Sequence, residues 1–238
     1  MREQEARSAL LLGEEGMKRL NRAYVAVFGL GGVGGHCVEA LARAGIGRLH
    51  LVDADVVEPS NLNRQLVATK NTLGLPKTQA MAQRIEEVAD CALTLQQGFV
   101  LPENVERFLP EGLSFIVDAV DTVSAKLALV KAANEKGLPI ISCMGAGNRL
   151  DPTAFYITDL FATQGCGLAR VMRRELRKMG IGQLDVVCSR EPAGKPCMAI
   201  AQTGKKRQTP GSIAPVTAAA GLALAGYVIR AIALPKET

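Results

Sequence analysis

Asp53, Arg64, Lys77 and Asp121 are the side chains of this sequence whose types and placement could do chemistry together. Arg64 lies in the polar stretch NLNRQ, and Lys77 follows Pro76 in the first turn of a predicted helix, so two cations can fold back over one ligand. Such a pair suits a triphosphate, the guanidinium as a planar fork and the ammonium as a point charge. The apolar run Phe115 to Val117 delivers Asp118 and Asp121 to one edge of a sheet, where Asp121 can hold magnesium against phosphate oxygens. Asp118 has a second possible role as cap of the helix that follows. The reaction these parts imply is attack of a carboxylate on the α-phosphate of ATP, with pyrophosphate leaving and an acyl-adenylate as product. Charge builds on the phosphate oxygens in that transition state, and preplaced Arg, Lys and magnesium stabilise it more than they stabilise the ground state.

A scaffold for those residues is legible in the run from Tyr24 to Asp55, YVAVFGLGGVGGHCVEALARAGIGRLHLVDAD. A buried strand enters a glycine-rich turn, an apolar helix follows, and a second strand ends on Asp53, which together predict a nucleotide-binding βαβ unit. Gly29 permits the tight turn, Gly31 and Gly32 keep side chains away from a phosphate, and Gly34 lets the helix pack close to the strand. The helix start offers free N–H groups to the anion, and Asp53 is placed to accept both ribose hydroxyls. Asp55 is a further nucleotide-binding candidate, and Asn61, Asn63, Arg64 and Gln65 fall in the polar loop just past the strand, on the ligand side of such a sheet. The turn by itself favours a dinucleotide-dependent oxidoreductase, but in such an enzyme Arg64, Lys77 and Asp121 would have no joint purpose.

The 238 residues, 48% of them hydrophobic, suffice for one large α/β domain with a full core. The expected fold is α/β, a doubly wound, Rossmann-like and mostly parallel sheet with a smaller C-terminal extension. Residues 1–150 would form the ATP-binding adenylation domain and residues 151–238 an extension completing the same unit. The opening MREQEARSA is charged where a secretory signal needs an apolar stretch, so a cytoplasmic location is expected. Ile213 to Leu234 has the length of a membrane span, yet Ala and Gly dominate it and Arg230 lies inside, which predicts a buried C-terminal helix and no membrane partner.

The six cysteines include no CxxC pair, so neither a zinc site nor disulfides are expected, and Cys166, in the polar stretch TQGCG, reads as the one most exposed. The net charge of +5 gathers in two places: Arg170, Arg173, Arg174, Arg177 and Lys178 on one predicted helix, and Lys205, Lys206 and Arg207 in a loop. Both read either as contacts to a polyanion or as solvated charge.

GLGGVG, LVDAD, NLNRQ, LGLPK and DAVD, in this order, resemble the adenylating domain of the ubiquitin-activating-enzyme superfamily, over about Arg7 to Gly147. That resemblance implies Asp53 on the ribose, Arg64 and Lys77 on the phosphates, Asn61 and Gln65 in the nucleotide pocket, and Asp121 on magnesium. It also implies a homodimer in which Arg7 reaches into the partner's ATP site. Members that activate sulfur-carrier proteins typically carry two zinc-binding CxxC pairs, which this sequence lacks. GAGNRLDPT, LARVMRRELRKMGI and PGSIAPVTAAAGLALAGY instead resemble the branch that dehydrates threonylcarbamoyladenosine in tRNA, over nearly the whole chain. Where that branch often has Asp-Pro before the Leu-Ala of the basic helix, this sequence has Cys166-Gly167.

In that branch, adenylation of the threonyl carboxylate is followed by attack of the neighbouring carbamoyl group, and no thioester cysteine is needed because the nucleophile is tethered. Arg170, Arg173, Arg174, Arg177 and Lys178 then become candidate tRNA contacts. A monovalent cation near the substrate and a sulfur-transfer or redox protein partner are further candidates. The alternatives are activation of a ubiquitin-like sulfur carrier and nucleotide-regulated binding without turnover.

Overall fold

A computed structural model describes residues 3–198 and 210–234 of the chain. Five strands run parallel: β1 (Tyr24–Phe28), β2 (Arg48–Asp53), β3 (Ala92–Gln97), β4 (Phe115–Asp118) and β5 (Ile140–Cys143), of which β1, β2 and β4 are the apolar runs read from the sequence. Beyond them, β6 (Phe155–Asp159) and β7 (Asp185–Ser189) extend the same seven-stranded sheet, whose order is β3-β2-β1-β4-β5-β7-β6. β7 continues the parallel run beside β5, and β6 closes the edge antiparallel to β7. The expected doubly wound, mostly parallel architecture is therefore the observed one. The strand order reverses between β1 and β4, and at such a switch point the two following loops splay apart and leave a crevice.

Helices cover both faces, which is why the central strands read as continuous apolar runs. On one face, α1 (Ala6–Arg22), α2 (Gly34–Arg43), α3 (Lys77–Glu86) and α6 (Ala214–Ala233) pack on Val25, Val27, Leu49, Leu51 and Val117. On the other, α4 (Val123–Lys136) packs on Ala26, Phe28 and Ile116, and α5 (Gly167–Lys178) packs on Val186 and Cys188. Alternate residues of each strand thus serve opposite layers.

The apolar C-terminal segment is α6, long and apolar enough to cross a membrane by composition. It is nevertheless a core helix: Val216, Ala220, Leu224 and Val228 are fully buried among residues of α1 and α2. Its approach to α2 is so close that a Cβ on Gly221 would lie 2.2 Å from the Val33 carbonyl oxygen. One consequence reaches the crevice, because the same approach sets Thr217 against Gly32.

A candidate nucleotide site at the switch point

A cleft of about 770 Å³ opens at the carboxyl ends of β1, β2 and β4. Gly29, Gly31, Gly32, Asp53, Asp55, Asn61, Arg64, Gln65, Lys77 and Asp121 all line it. Gly34 sits just beneath, at the start of α2, where a Cβ would fall 1.7 Å from the Gly29 carbonyl oxygen. No other residue type fits that approach. Gly29 itself turns the chain with φ of +88°, a conformation that favours glycine.

Asp53 is locked by two backbone donors: Leu30 N donates to Oδ2 at 2.6 Å and Asp55 N to Oδ1 at 2.8 Å. Burial pushes its carboxyl above the usual range, and the Lys77 charge opposes that shift. Each oxygen keeps capacity for one further donor, as two ribose hydroxyls require. Lys77 is buried, with Nζ 2.7 Å from Asp55 Oδ2 and 4.0 Å from Asp53 Oδ1. Its backbone N–H donates to the Asp55 carbonyl at 3.0 Å, which places the start of α3 against the end of β2. An ion pair with Asp55 at the cleft floor holds Lys77.

Arg64 is half-buried, its guanidinium donating to the Ser60 carbonyl at 2.9 Å and to Asn63 Oδ1 at 2.8 Å. Both contacts are local, so the group can turn toward an anion without breaking the fold. Asn61 Oδ1 accepts the Glu58 N–H at 3.1 Å and thereby closes a capped turn, while Gln65, also buried, leaves its Oε1 without a partner. An orphaned buried oxygen at the wall of a cleft is costly unless a ligand or water meets it. Gln65 and the glycine turn therefore fit a polar ligand seated between them.

Asp118 and Asp121 separate sharply. Asp118 is fully buried; its Oδ2 accepts from Lys126 Nζ at 3.0 Å and Ser142 Oγ at 2.7 Å, and its Oδ1 from Val120 N at 3.2 Å. It does not cap α4, whose N-cap is Thr122. Its role is to fix the loop that carries Asp121. That second carboxylate is exposed at the cleft and, among the described residues, hydrogen-bonds only the Thr122 hydroxyl, at 3.3 Å. Among the described residues, no group of three or more His, Cys, Asp or Glu side chains could hold a metal ion by itself. Asp121 fits an ion that takes most of its oxygens from phosphate and water, as magnesium does.

Sequence reasoning missed the apolar half of the cleft. Val52, Phe99, Leu101 and Val120 line it near the acidic end of β2, and Phe99 is 70% exposed, a flat surface free to cover an adenine ring. Their order in the chain gives no sign of convergence, nor does that of Thr217, which arrives from α6.

Two expectations lie outside this cleft. Arg7 is exposed in the first turn of α1 and is not among the cleft's lining residues. On α5, Arg170, Arg174, Arg177 and Lys178 are exposed, whereas Arg173 turns inward to the Thr163 carbonyl and hydroxyl. Arg173 is thus a tie between helix and loop. Arg174 and Lys178 share Glu175, Arg177 stacks on Phe161 at 5.3 Å, and Arg170 has no partner among the described residues. The Lys205, Lys206 and Arg207 cluster lies outside the described residues. Cys166 corrects another expectation, being buried at 6% exposure.

A model of the ThiF family matches residues 5–238. A Bacillus subtilis protein named tRNA threonylcarbamoyladenosine dehydratase is 39% identical over 239 residues, covering 96% of this chain and 94% of its own. An Escherichia coli protein of the same name is 38% identical over 188 residues, covering 76% of this chain and 70% of its own. The crystal structure of E. coli tRNA N6-threonylcarbamoyladenosine dehydratase in complex with ATP superposes with a TM-score of 0.89 at 33% identity, over 97% of this chain and 94% of that one.

Proposed function

Because this chain belongs to the ThiF family, we propose that it dehydrates threonylcarbamoyladenosine in tRNA at the expense of ATP. The threonyl carboxylate attacks the α-phosphate, pyrophosphate leaves, and the resulting acyl-adenylate is closed by the tethered carbamoyl group with departure of AMP. Tethering supplies the second nucleophile at high effective concentration, so no protein thiol takes part. The observation that carries the reading is the convergence of Arg64, Lys77 and Asp121 on one glycine turn, in a chain whose relatives over nearly its full length bear that activity in their names. Arg64 and Lys77 neutralise the phosphates, Asp53 holds the ribose, and Asp121 is the protein's ligand to magnesium. A monovalent cation beside the substrate belongs to the same proposal. Activation of a sulfur-carrier protein is the lesser reading.

The working unit we propose is a cytoplasmic homodimer. Leu10 and Leu11, one turn beyond Arg7, are 86% and 85% exposed, an apolar pair that a second copy would cover. A sulfur-transfer or redox protein remains a proposed further partner. The test of the activity is nucleoside analysis of tRNA bearing threonylcarbamoyladenosine after incubation with enzyme and ATP. Loss of one water from that nucleoside, dependent on ATP, is the expected result; an unchanged nucleoside with ATP turned over on a carrier protein overturns it.

The tRNA would lie along the exposed side of α5. Changing Arg170 and Arg174 together to Gln is expected to weaken tRNA binding and to flatten its salt dependence by about one unit of slope per lost phosphate contact. ATP binding stays as in the parent. Parallel salt slopes for parent and variant would leave α5 a solvated face and put the tRNA elsewhere.

A further inference from the structure

The C-terminal helix α6 reaches the cleft through one side chain. Thr217 is the sole polar residue between Ala214 and Leu224, the first three turns of the helix, and it is 6% exposed while lining the cleft. Packing gives no reason for its hydroxyl. Val216, Ala220 and Leu224 form the fully buried stripe of those turns, and valine, with a methyl in place of the hydroxyl, would fill the position of Thr217 as well. What the position provides is nearness to the glycine turn. A Cβ on Gly32 would lie 2.9 Å from Thr217 Oγ1 and 3.3 Å from the Arg64 carbonyl oxygen. A hydroxyl from the far end of the chain thus stands at the turn whose lack of side chains admits a phosphate.

Two asparagines fix the start of α6 in that place. Asn63 Nδ2 donates to the Ser212 carbonyl at 2.9 Å, and Asn63 Oδ1 accepts from Arg64 at 2.8 Å, so the residues before α6 are tied to the loop that carries the arginine. Asn148 clasps the neighbouring residue: its N–H donates to the Gly211 carbonyl at 2.7 Å, and its Oδ1 accepts the Gly211 N–H at 2.7 Å. Among the described residues Asn148 is the only non-glycine in the left-handed region, with φ of 57°, a conformation that asparagine tolerates. Neither clasp uses the Thr217 hydroxyl. Among the described residues it donates only within its own turn, to the Ala214 carbonyl at 3.3 Å and the Ile213 carbonyl at 3.4 Å, both long for an O–H···O bond. The Ile213 carbonyl already takes the Thr217 N–H at 3.3 Å. Turning such a back-bonded hydroxyl to a stronger acceptor costs little.

We propose that Thr217 is a catalytic residue of the adenylation step, donating its hydroxyl to a non-bridging oxygen of the nucleotide's phosphates beside the glycine turn. The inference rests on the nucleotide cleft assigned above and adds a donor to it. Backbone N–H groups at the start of α2 and the charges of Arg64 and Lys77 address the same phosphates. Thr217 differs from the two cations in being neutral and short, with its helix start held at both clasps. A hydroxyl bound to an anionic oxygen makes a charge-assisted bond, roughly twice as strong as the neutral bonds to Ala214 and Ile213 that it gives up. The bond strengthens as charge builds on the phosphate oxygens during attack of the carboxylate. No proton is transferred: the hydroxyl stays protonated throughout, and pyrophosphate leaves as in the reaction already written.

The test compares Thr217→Val, which removes the hydroxyl and keeps the shape, with Thr217→Ser, which keeps the hydroxyl, both in the full chain. Calorimetric titrations with ATP and magnesium, and separately with adenosine, come first. Thr217→Val should bind ATP roughly tenfold more weakly than the parent and adenosine equally well, while Thr217→Ser stays within about twofold of the parent for both. On tRNA bearing threonylcarbamoyladenosine, turnover of Thr217→Val at saturating ATP should fall by roughly 10–10², with the melting temperature near that of the parent. If the parent binds ATP and leaves the tRNA unchanged, the assigned reaction fails, and the titrations still decide the donor. Parent-like ATP affinity in Thr217→Val overturns the proposal. So does an equal loss in Thr217→Ser, or a matching loss of adenosine binding, because either would mark a packing role.

Discussion

Truncating Lys77 or Arg64 to alanine is expected to lower turnover by roughly 10²–10³, the scale of losing one preplaced donor to a charged transition state. Charge moves onto the α-phosphate oxygens and the leaving pyrophosphate as the carboxylate attacks, so a cation already in place acts on the barrier more than on binding. The two variants should nonetheless differ in stability. Among the described residues the Arg64 guanidinium hydrogen-bonds only Ser60 and Asn63, and its removal should leave the melting temperature near the parent value. Lys77 is buried beside Asp53, so its loss strips a counter-charge from a carboxylate already raised by burial and should cost about 1–3 kcal/mol. The same electrostatics gives a pH signature. Lys77 lowers the Asp53 pKa, so without it Asp53 protonates at higher pH and the acid limb of the activity profile shifts upward. Steady-state rates on folded protein, followed from neutral to acid pH, check both statements; near-parent turnover in both variants would sink the adenylation chemistry.

Lys77 also marks the boundary of what the sequence discloses. The β1-turn-α2 unit is legible because its determinants are local: apolar runs of strand length, glycines at fixed offsets, and an acidic strand end all fall within Tyr24 to Asp55. The sheet order follows from alternating strands and helices joined by right-handed crossovers. That Lys77 is buried depends on tertiary placement, since a bridge between Val56 and Pro76 and the bond from its N–H to Asp55 bring α3 back to β2. Cys166 was misread for the same reason. Its polar neighbours suggest exposure, but α5 packs on β7 and carries its first turn underneath the cleft wall. Arg173 sits among four exposed cations of α5 and is indistinguishable from them by type, yet the loop carbonyl it meets is fixed only by the fold. Asp118 and Asp121, three positions apart in one short stretch, are separated only once β5 supplies Ser142 and α4 supplies Lys126 to the first of them.

That separation makes Asp121→Asn the sharpest test of the metal assignment. The amide keeps the shape of the carboxylate and removes its charge, and among the described residues the only hydrogen bond at stake is that from the Thr122 hydroxyl. Folding should be unaffected, because the loop is anchored elsewhere, through Ala119 N to the Phe28 carbonyl at 2.8 Å and Val120 N to Asp118. Magnesium binding should suffer: a hard dication in a phosphate cage gains much of its affinity from a formal negative charge on the protein, and the concentration for half-maximal rate should rise on the order of tenfold or more. Maximal turnover falls as well, since excess magnesium cannot restore the geometry that Asp121 imposes. Asp118→Asn serves as the contrasting variant. It breaks a buried ion pair with Lys126, at a cost of about 3–5 kcal/mol, and should lower the melting temperature before it alters the metal response. Magnesium titrations of rate, set beside thermal melts of both variants, separate the two roles. If the titration curve of Asp121→Asn superimposes on that of the parent, Asp121 is a loop residue and the ion is held by phosphate and water alone.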